Sequence, residues 1–111
     1  MVSQRDIVLI SFPFSDMKKS KVRPVIVMSN DEYNNKFKEF IAIPMTSNLN
    51  LREYTIKITN KELESGNLIV ESLAKIDKIV SIEKTLARKK IGRVKKDVHK
   101  KLKNMFLDII S

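Results

Sequence analysis

Two side chains stand where they could bind and act on a phosphate group. Arg23 follows a basic loop and precedes Pro24, which stiffens the entry into a predicted strand and limits where the guanidinium starts. An arginine held in this way suits fork-like binding of a phosphate. Thr46 follows Pro44 at the end of another predicted strand, where its hydroxyl can donate to a phosphoryl oxygen. From spacing alone, a surface ion pair for Arg23 and a turn cap for Thr46 remain the commoner alternatives.

The chain lacks the residues that several other kinds of catalytic site require. His99 is the only histidine, there is no cysteine, and the chain has two glycines. These counts exclude a two-histidine ribonuclease site within one chain, a multi-histidine or thiolate metal site and a glycine-rich phosphate loop. His99 itself is expected on the solvated face of the last helix. If the protein is an enzyme, we expect it to need no metal ion and no organic cofactor.

The charge of the chain indicates a polyanionic partner. There are 22 Lys and Arg against 13 Asp and Glu, a net charge of +9, and ten basic residues but one acid lie between residues 84 and 103. Nucleic acid is the first expectation, ahead of an acidic protein and an anionic membrane surface. A surface that is simply lysine-rich is the alternative. RNA would bring its own nucleophile, the 2′-OH, so an arginine and a hydroxyl donor would be a sufficient minimal set.

The elements that must position these residues are mainly strands. Apolar and alternating runs predict strands at 6–12, 25–28, 40–44, 54–59, 68–70 and one or two within 73–79, with a short helix near 33–35.

Near the end of the chain the spacing of apolar residues changes from that of strands to that of a helix. Seven apolar residues recur at helical spacing after Gly92, a predicted break: Val94, Val98, Leu102, Met105, Phe106, Ile109 and Ile110. Several short strands followed by one amphipathic helix predict a small barrel or curled sheet plugged by the helix, in one domain over residues 1–111. No apolar run approaches the roughly 20 residues that span a bilayer, and no signal peptide is evident, so a cytoplasmic protein is expected.

Five segments, in order, resemble the MazF/PemK family of toxin endoribonucleases. The run at 6–14, Asp-Ile-Val-Leu-Ile-Ser-Phe-Pro-Phe, resembles the opening strand of that family. The run Arg-Pro-Val-Ile-Val-Met-Ser at 23–29 resembles its arginine–proline strand, and Ile-Pro-Met-Thr-Ser at 43–47 resembles its proline-x-threonine strand end. The segments at 72–79 and 91–94 and the final helix follow in the family's order. The family usually has a Gly-Asp pair before the opening strand, where this chain has Arg5-Asp6.

The resemblance implies a mainly β, SH3-like barrel with a C-terminal helix that forms a homodimer, with single-stranded RNA in a groove along the dimer interface. It implies metal-independent, sequence-specific cleavage that leaves a 2′,3′-cyclic phosphate and a 5′-OH. The catalytic pair of the family maps onto Arg23 and Thr46. Lys75 and Asp77 map onto positions used for catalysis or RNA contact, with lysine in place of an arginine, and Asp16 is a second candidate for proton transfer.

Further RNA contacts are predicted beside this pair. A lysine-rich loop at 18–21 is compatible with a flap over the RNA or with an ordinary solvated loop. The residues expected to contact RNA are Lys18, Lys19, Lys21, Phe14 and Ser47. The family is neutralised by a cognate acidic antitoxin, which implies an antitoxin partner here and DNA binding together with it. Two rival functions remain: a CcdB-like toxin that poisons gyrase with the same fold, and a noncatalytic nucleic-acid-binding module.

Overall fold

The protein is described by a computed structural model that covers residues 2–12 and 21–111. Its strands are β1 Asp6–Phe12, β2 Lys21–Val27, β3 Glu39–Thr46, β4 Thr55–Ile58, β5 Leu63–Gly66, β6 Ser72–Lys75, β7 Val80–Glu83 and β8 Ala87–Val94. The helices are α1 Asp31–Lys36 and α2 Lys96–Ile110, with single 3₁₀ turns at Asn60–Glu62, Ile76–Lys78 and Lys84–Leu86. The described part contains no helix that is both long and apolar enough to cross a bilayer.

The strands form one antiparallel sheet that curls into a half-barrel. Its order is β4-β6-β3-β2-β1-β8-β5, and β7 pairs with the first half of β3. Strand β3 therefore changes partner along its length, with β7 beside residues 39–42 and β6 beside Met45 and Thr46. The mainly β architecture with a C-terminal helix confirms the predicted fold class.

Both faces of the curled sheet are packed. The inner face buries side chains such as Ile7, Ile26 and Ile43 against Val98 and Leu102 of α2, which closes the open side of the half-barrel. The other face of β1–β3 carries a second cluster around Phe40, with Val8, Ile10, Val25 and Val27. Alternation along each strand produces the two clusters, because successive side chains point to opposite faces.

One predicted strand is absent, and strands β5, β7 and β8 were not predicted. Residues 68–70 form no strand, and the strand in this part of the chain is β5, a few residues earlier. Leu68 lies in a loop, where its N–H donates to Oδ1 of Asn60 at 2.7 Å. Strand β8 was not predicted from the apolar pattern, because Arg88, Lys89 and Lys90 interrupt that pattern. These three side chains are solvated while the backbone of β8 pairs with both β1 and β5.

The prediction that Gly92 interrupts the chain before the helix was also wrong. Gly92 lies buried inside β8. Its partner across the sheet is Gly66, so the two glycines of the chain face each other. Gly66 has a φ of +83°, and a Cβ there would lie 2.3 Å from Cα of Gly92 and from the carbonyl oxygen of Ile91. This close backbone approach requires glycine at position 66.

The turn before β1 holds Arg5 in a backbone conformation that non-glycine residues rarely adopt. Arg5 has a φ of 77°, in the left-handed region that favours glycine. Its Nη1 donates to the carbonyl oxygen of Val94 and to Oε1 of Glu64, at 3.0 Å each. The next residue, Asp6, is 2% exposed and accepts from Arg93 Nε and pairs with Lys90 Nζ, both at 3.2 Å. These contacts tie β1 to β8 and offset the strained backbone.

His99 differs from the solvated residue that the helical pattern predicted. It is half-buried, and its Nε2 lies 3.3 Å from the carbonyl oxygen of Met28. Burial is the main cause that lowers the pKa of His99, opposed by the bond to Met28, with Lys103 and Arg5 lowering it further. His99 follows Val98, which packs on the sheet. Its ring therefore lies at the seam between α2 and the end of β2.

Candidate active site

Strand pairing brings Arg23 and Thr46 together. Strands β2 and β3 pair with Val25 opposite Pro44 and Val27 opposite Ala42. Continued by two residues, the same register sets Arg23 opposite Thr46, on the face that Val25 and Pro44 share. Val25 is buried, whereas Arg23 is exposed at the end of the sheet. The two side chains therefore meet where the sheet reaches solvent.

A pocket of about 350 Å³ contains this pair. Lys21, Arg23, Thr46 and Ser47 line it together, so four residues predicted from the sequence share one cavity. Val70 and Ser72, which precede and begin β6, complete the opposite wall.

A second pocket of about 310 Å³ adjoins the first through Thr46, which lines both. Lys75 reaches it because Leu73 pairs with Thr46, and Lys75 lies two residues further on the same face of β6. Asn48, Asn50 and Arg52, from the segment that follows β3, form the other side. We call the two pockets together the Thr46 groove.

The hydroxyl of Thr46 is oriented by the turn that follows it. Its Oγ1 accepts a hydrogen bond from the N–H of Asn48 at 3.2 Å. Oδ1 of Asn48 in turn accepts from the N–H of Asn50 at 3.1 Å. Such side-chain-to-backbone bonds fix a turn in place of regular structure. Because the N–H of Asn48 occupies an acceptor position on Oγ1, the hydroxyl proton can point at a ligand in the groove.

The groove is strongly cationic. Lys21, Arg23, Arg52 and Lys75 line its two pockets, and no carboxylate does so among the described residues. A cleft lined by one sign of charge concentrates its field and attracts ligands of the opposite sign. The groove is therefore suited to a ligand with several phosphates.

Asp77 contributes to the groove through Arg52. Its Oδ2 pairs with Nη2 of Arg52, and Asp77 does not itself line either pocket in the described structure. Oδ1 of Asp77 is inaccessible to solvent and has no hydrogen-bond partner among the described residues. The carboxylate is thus placed to hold the guanidinium of Arg52 at the wall of the groove.

Of the residues predicted from the sequence, Arg23, Thr46, Ser47, Lys21 and Lys75 meet in the groove. The predicted residues Asp16, Lys18, Lys19 and Phe14 lie outside the described residues.

Sequence reasoning missed Asn48, Asn50 and Arg52. These three residues could have been found from the sequence, because they occupy every second position directly after the proline-x-threonine strand end. Their side chains can hydrogen-bond to base edges or bind phosphate. Residues 2–12 and 21–111 contain no group of three or more His, Asp or Glu side chains that could hold a metal ion.

The sequence of the chain matches the model of a known protein family. A family model described as PemK-like, MazF-like toxin of type II toxin–antitoxin system matches residues 3–110. No curated protein sequence matches the chain.

Solved structures share the fold at low sequence identity. The MazE–MazF structure (Form-III) from Deinococcus radiodurans has a TM-score of 0.82 at 16% identity, over 98% of this chain and 95% of that one. The Mycobacterium tuberculosis toxin MazF-mt6 has a TM-score of 0.75 at 16% identity, over 96% of each chain. An endoribonuclease in complex with its cognate antitoxin, from a mycobacterial species, has a TM-score of 0.75 at 11% identity, over 99% and 95%.

Proposed function

Because this chain belongs to the PemK-like, MazF-like family of toxins of type II toxin–antitoxin systems, we propose that it is an endoribonuclease that cuts single-stranded RNA in the Thr46 groove. The observation that carries the proposal is the meeting of Arg23 and Thr46 in a cleft lined by four cations. RNA supplies the phosphates that such a cleft attracts and, unlike DNA, a nucleophile beside each of them.

The proposed reaction is an internal transfer. The 2′-oxygen attacks the adjacent phosphorus and loses its proton, and the bond from phosphorus to the 5′-oxygen breaks. The leaving 5′-oxygen takes up a proton, which leaves a 2′,3′-cyclic phosphate and a 5′-OH. The protein has to hold the strand, stabilise the charge that develops on the phosphoryl oxygens and move protons, and none of these tasks requires a metal ion.

The residues of the groove divide these tasks. Arg23 binds the phosphoryl oxygens with its planar fork, and Thr46 donates its hydroxyl proton to one of them. Lys75 and Lys21 hold the phosphates on either side, and Ser47 adds a donor beside Thr46.

Of the two carboxylates proposed for proton transfer, Asp77 lies within the described residues and Asp16 does not. Asp77 has one oxygen on Arg52 and the other shielded from solvent, which favours a role in positioning Arg52. Asp16, which precedes Arg23 in the sequence, is then the better candidate for proton acceptor, and Lys18, Lys19 and Phe14 are proposed RNA contacts.

We further propose that the toxin is a cytoplasmic homodimer neutralised by an acidic antitoxin. Similar structures include a MazE–MazF complex and an endoribonuclease with its cognate antitoxin. A groove with four cations is suited to an acidic chain as well as to RNA, so antitoxin and substrate would compete for it. DNA binding is proposed for the toxin only together with this antitoxin.

Incubation of the purified protein with a long single-stranded RNA in EDTA, followed by mapping of the ends, tests the proposal. We expect cuts at a short recurring sequence with cyclic-phosphate and 5′-OH ends. Arg23→Ala should abolish the cuts while the protein stays folded, and Lys101→Ala, which removes an exposed charge from α2 outside the groove, should leave them unchanged. Intact RNA from the folded wild-type protein would contradict the proposal and favour the gyrase-poison or binding alternatives.

A further inference from the structure

A second basic pocket lies away from the Thr46 groove. It has a volume of about 590 Å³ and is lined by Lys36, Phe37 and Lys38 at the end of α1 and by Glu83 and Lys84 at the end of β7. We call it the Phe37 pocket. Its size falls within the range of about 300–1,000 Å³ that is typical of ligand pockets.

The aromatic ring in this pocket is exposed but held. Phe37 is 46% exposed, so part of its ring is open to a ligand. Its ring packs on Tyr33 with centroids 4.8 Å apart and planes at 41°. The backbone N–H of Phe37 also closes α1 on the carbonyl oxygen of Tyr33 at 3.2 Å. The ring is thus a supported platform with accessible surface.

The lysines of the pocket repel one another. Glu39 lies opposite Glu83 in the β3–β7 pair, so the next position sets Lys38 opposite Lys84, whose N–H donates to the carbonyl oxygen of Lys38 at 2.9 Å. Like charges directly opposite destabilise a sheet. Lys36, Lys38 and Lys84 have no ion pair within the described residues. A bound polyanion would relieve this repulsion.

The two sites lie at opposite ends of one strand. Lys38 precedes β3, and Thr46 ends it. At about 3.3 Å per residue, eight residues separate them by roughly 26 Å. The Phe37 pocket is therefore a site in its own right, which a single-stranded nucleic acid extending from the groove could reach.

From this geometry we propose that the Phe37 pocket binds a flanking segment of single-stranded RNA, with a base stacked on Phe37 and phosphates on Lys36, Lys38 and Lys84. The inference rests on the proposed ribonuclease function, since the RNA is the same strand that is cut in the groove. Aromatic platforms among cations are the usual means of binding single strands without sequence preference. Lys84 also borders a neighbouring cavity lined by Arg88, Lys89 and Lys90, which continues the cationic surface.

An acidic peptide fits this pocket less well. It would satisfy the lysines but has no flat π-face to cover the exposed ring. The carboxylate of Glu83, which also lines the pocket, can accept from the amino group of a base, a donor that an acidic side chain lacks. These features favour RNA over an acidic partner protein.

Fluorescence tests the stacking directly. The chain contains no tryptophan, so Phe37→Trp introduces a single reporter into the pocket. In the background of Arg23→Ala, which prevents cleavage, we expect single-stranded RNA to quench this fluorescence and added salt to reverse the quenching. Leu107→Trp, at an exposed position on α2, is the matched control and should not respond. Absence of quenching, or a response to poly-glutamate but not to RNA, would overturn the inference.

Kinetics test the consequence for cleavage. Phe37→Leu combined with Lys38→Ala should raise the KM for a long RNA about tenfold or more, because stacking of one base contributes about 1–3 kcal/mol. The kcat, and the KM for a short oligonucleotide that covers only the groove, should stay unchanged. An unchanged KM for the long RNA would overturn the inference while leaving the ribonuclease intact. Absence of all cleavage would instead contradict the proposed function, and the fluorescence result would still decide whether the pocket binds RNA.

Discussion

Hydrogen bonding around Thr46 gives its hydroxyl a direction. Oγ1 accepts from the N–H of Asn48, and the bond from Asn50 to Oδ1 of Asn48 holds that turn. Serine and threonine hydroxyls rotate to suit their partners, so a hydroxyl with one acceptor site occupied is biased toward donating elsewhere. In the proposed reaction the remaining partner is a phosphoryl oxygen, which gains charge in the transition state.

Removal of this hydroxyl should therefore reduce catalysis more than binding. Thr46→Val keeps the volume but loses the donor, and we expect kcat to fall by about 10²–10³-fold, as when one donor to a developing oxyanion is lost. The RNA affinity should change little. Single-turnover cleavage and RNA binding, measured in parallel, check this expectation.

Thr46→Ser is the matched control, because it retains the hydroxyl at the same atom. It should keep most of the activity and the hydrogen bond from Asn48. A Thr46→Val protein that cuts RNA at the wild-type rate would remove Thr46 from the proposed catalytic pair.

A second prediction at the scale of single residues concerns the ion pair between Arg52 and Asp77. If Asp77 acts by holding Arg52 at the groove, Arg52→Ala and Asp77→Asn should weaken RNA binding by similar factors, and the double variant should be little worse than either. If Asp77 instead transfers a proton, Asp77→Asn alone should reduce kcat far more than Arg52→Ala and change the pH–rate profile. A double-mutant cycle on KM and kcat separates the two roles.

At the scale of elements, the junction of β5 and β8 depends on one pair of glycines. The two strands approach so closely that Gly66 and Gly92 lie side by side, and Gly66 needs a left-handed backbone as well. Strand β8 continues directly toward α2, so this junction sets where the helix begins. The register of β8 on β1 is also irregular, with shifts between Ile7 and Val8 and between Leu9 and Ile10.

Gly66→Ala should lower the free energy of unfolding by about 2–4 kcal/mol. The new Cβ would meet backbone atoms at 2.3 Å, and the left-handed conformation costs a further 1–2 kcal/mol or so for an alanine. Urea unfolding measures the change, and Ser65→Ala, at an exposed neighbour on β5, is the control and should be near neutral.

Gly92→Ala provides a milder test should Gly66→Ala fail to fold. Its Cβ would lie 2.9 Å from the carbonyl oxygen of Ser65 and 3.3 Å from a methyl of Leu63, so we expect a smaller loss than at position 66. A Gly66→Ala protein as stable as the wild type would contradict the close approach of the two strands.

The whole molecule is held together by α2 across the open side of the half-barrel. Val98 and Leu102 are buried against the inner face of the sheet, and His99 lies at the seam with its Nε2 near the carbonyl oxygen of Met28. Burial lowers the pKa of His99, so the folded protein resists protonation of the ring that the unfolded chain accepts at about pH 6.5.

Global stability should therefore depend on pH in a defined window. The unfolded chain binds more protons than the folded protein between the folded pKa of His99 and about 6.5, so the free energy of unfolding should fall as pH drops through that window. Urea unfolding at a series of pH values measures this slope. The pKa of Glu64 is lowered mainly by the bond from Arg5, so its contribution is present above the usual pKa of a carboxyl group and is lost as the pH falls below that value, outside the window of His99.

His99→Gln is the matched variant, because it can still donate to Met28 but does not titrate. Its stability should change less with pH than that of the wild type as the pH falls below about 6.5. Equal slopes for the two proteins would show that the seam between α2 and the sheet is not the source of the pH dependence.

Local sequence patterns determined a large part of this architecture. The bounds of β1, the buried runs of β2 and β3 and the apolar stripe of α2 follow from side chains a few residues apart, because burial of one face imposes a period on each element. The net charge indicated a polyanionic partner, and the resemblance of five short segments indicated the family that the family model confirms. The catalytic roles of Arg23 and Thr46 remain predictions.

Tertiary structure alone decided which distant residues meet. The β2–β3 register joins Arg23 to Thr46, the turn after β6 brings Asp77 to Arg52, and the β5–β8 register joins Gly66 to Gly92. The strand at 63–66 in place of 68–70, the half-buried His99 and the Phe37 pocket also depend on such pairings. The physical reason is that strand pairing and helix docking are contacts between segments far apart in the chain, whereas periodicity reports only on the face that each segment buries.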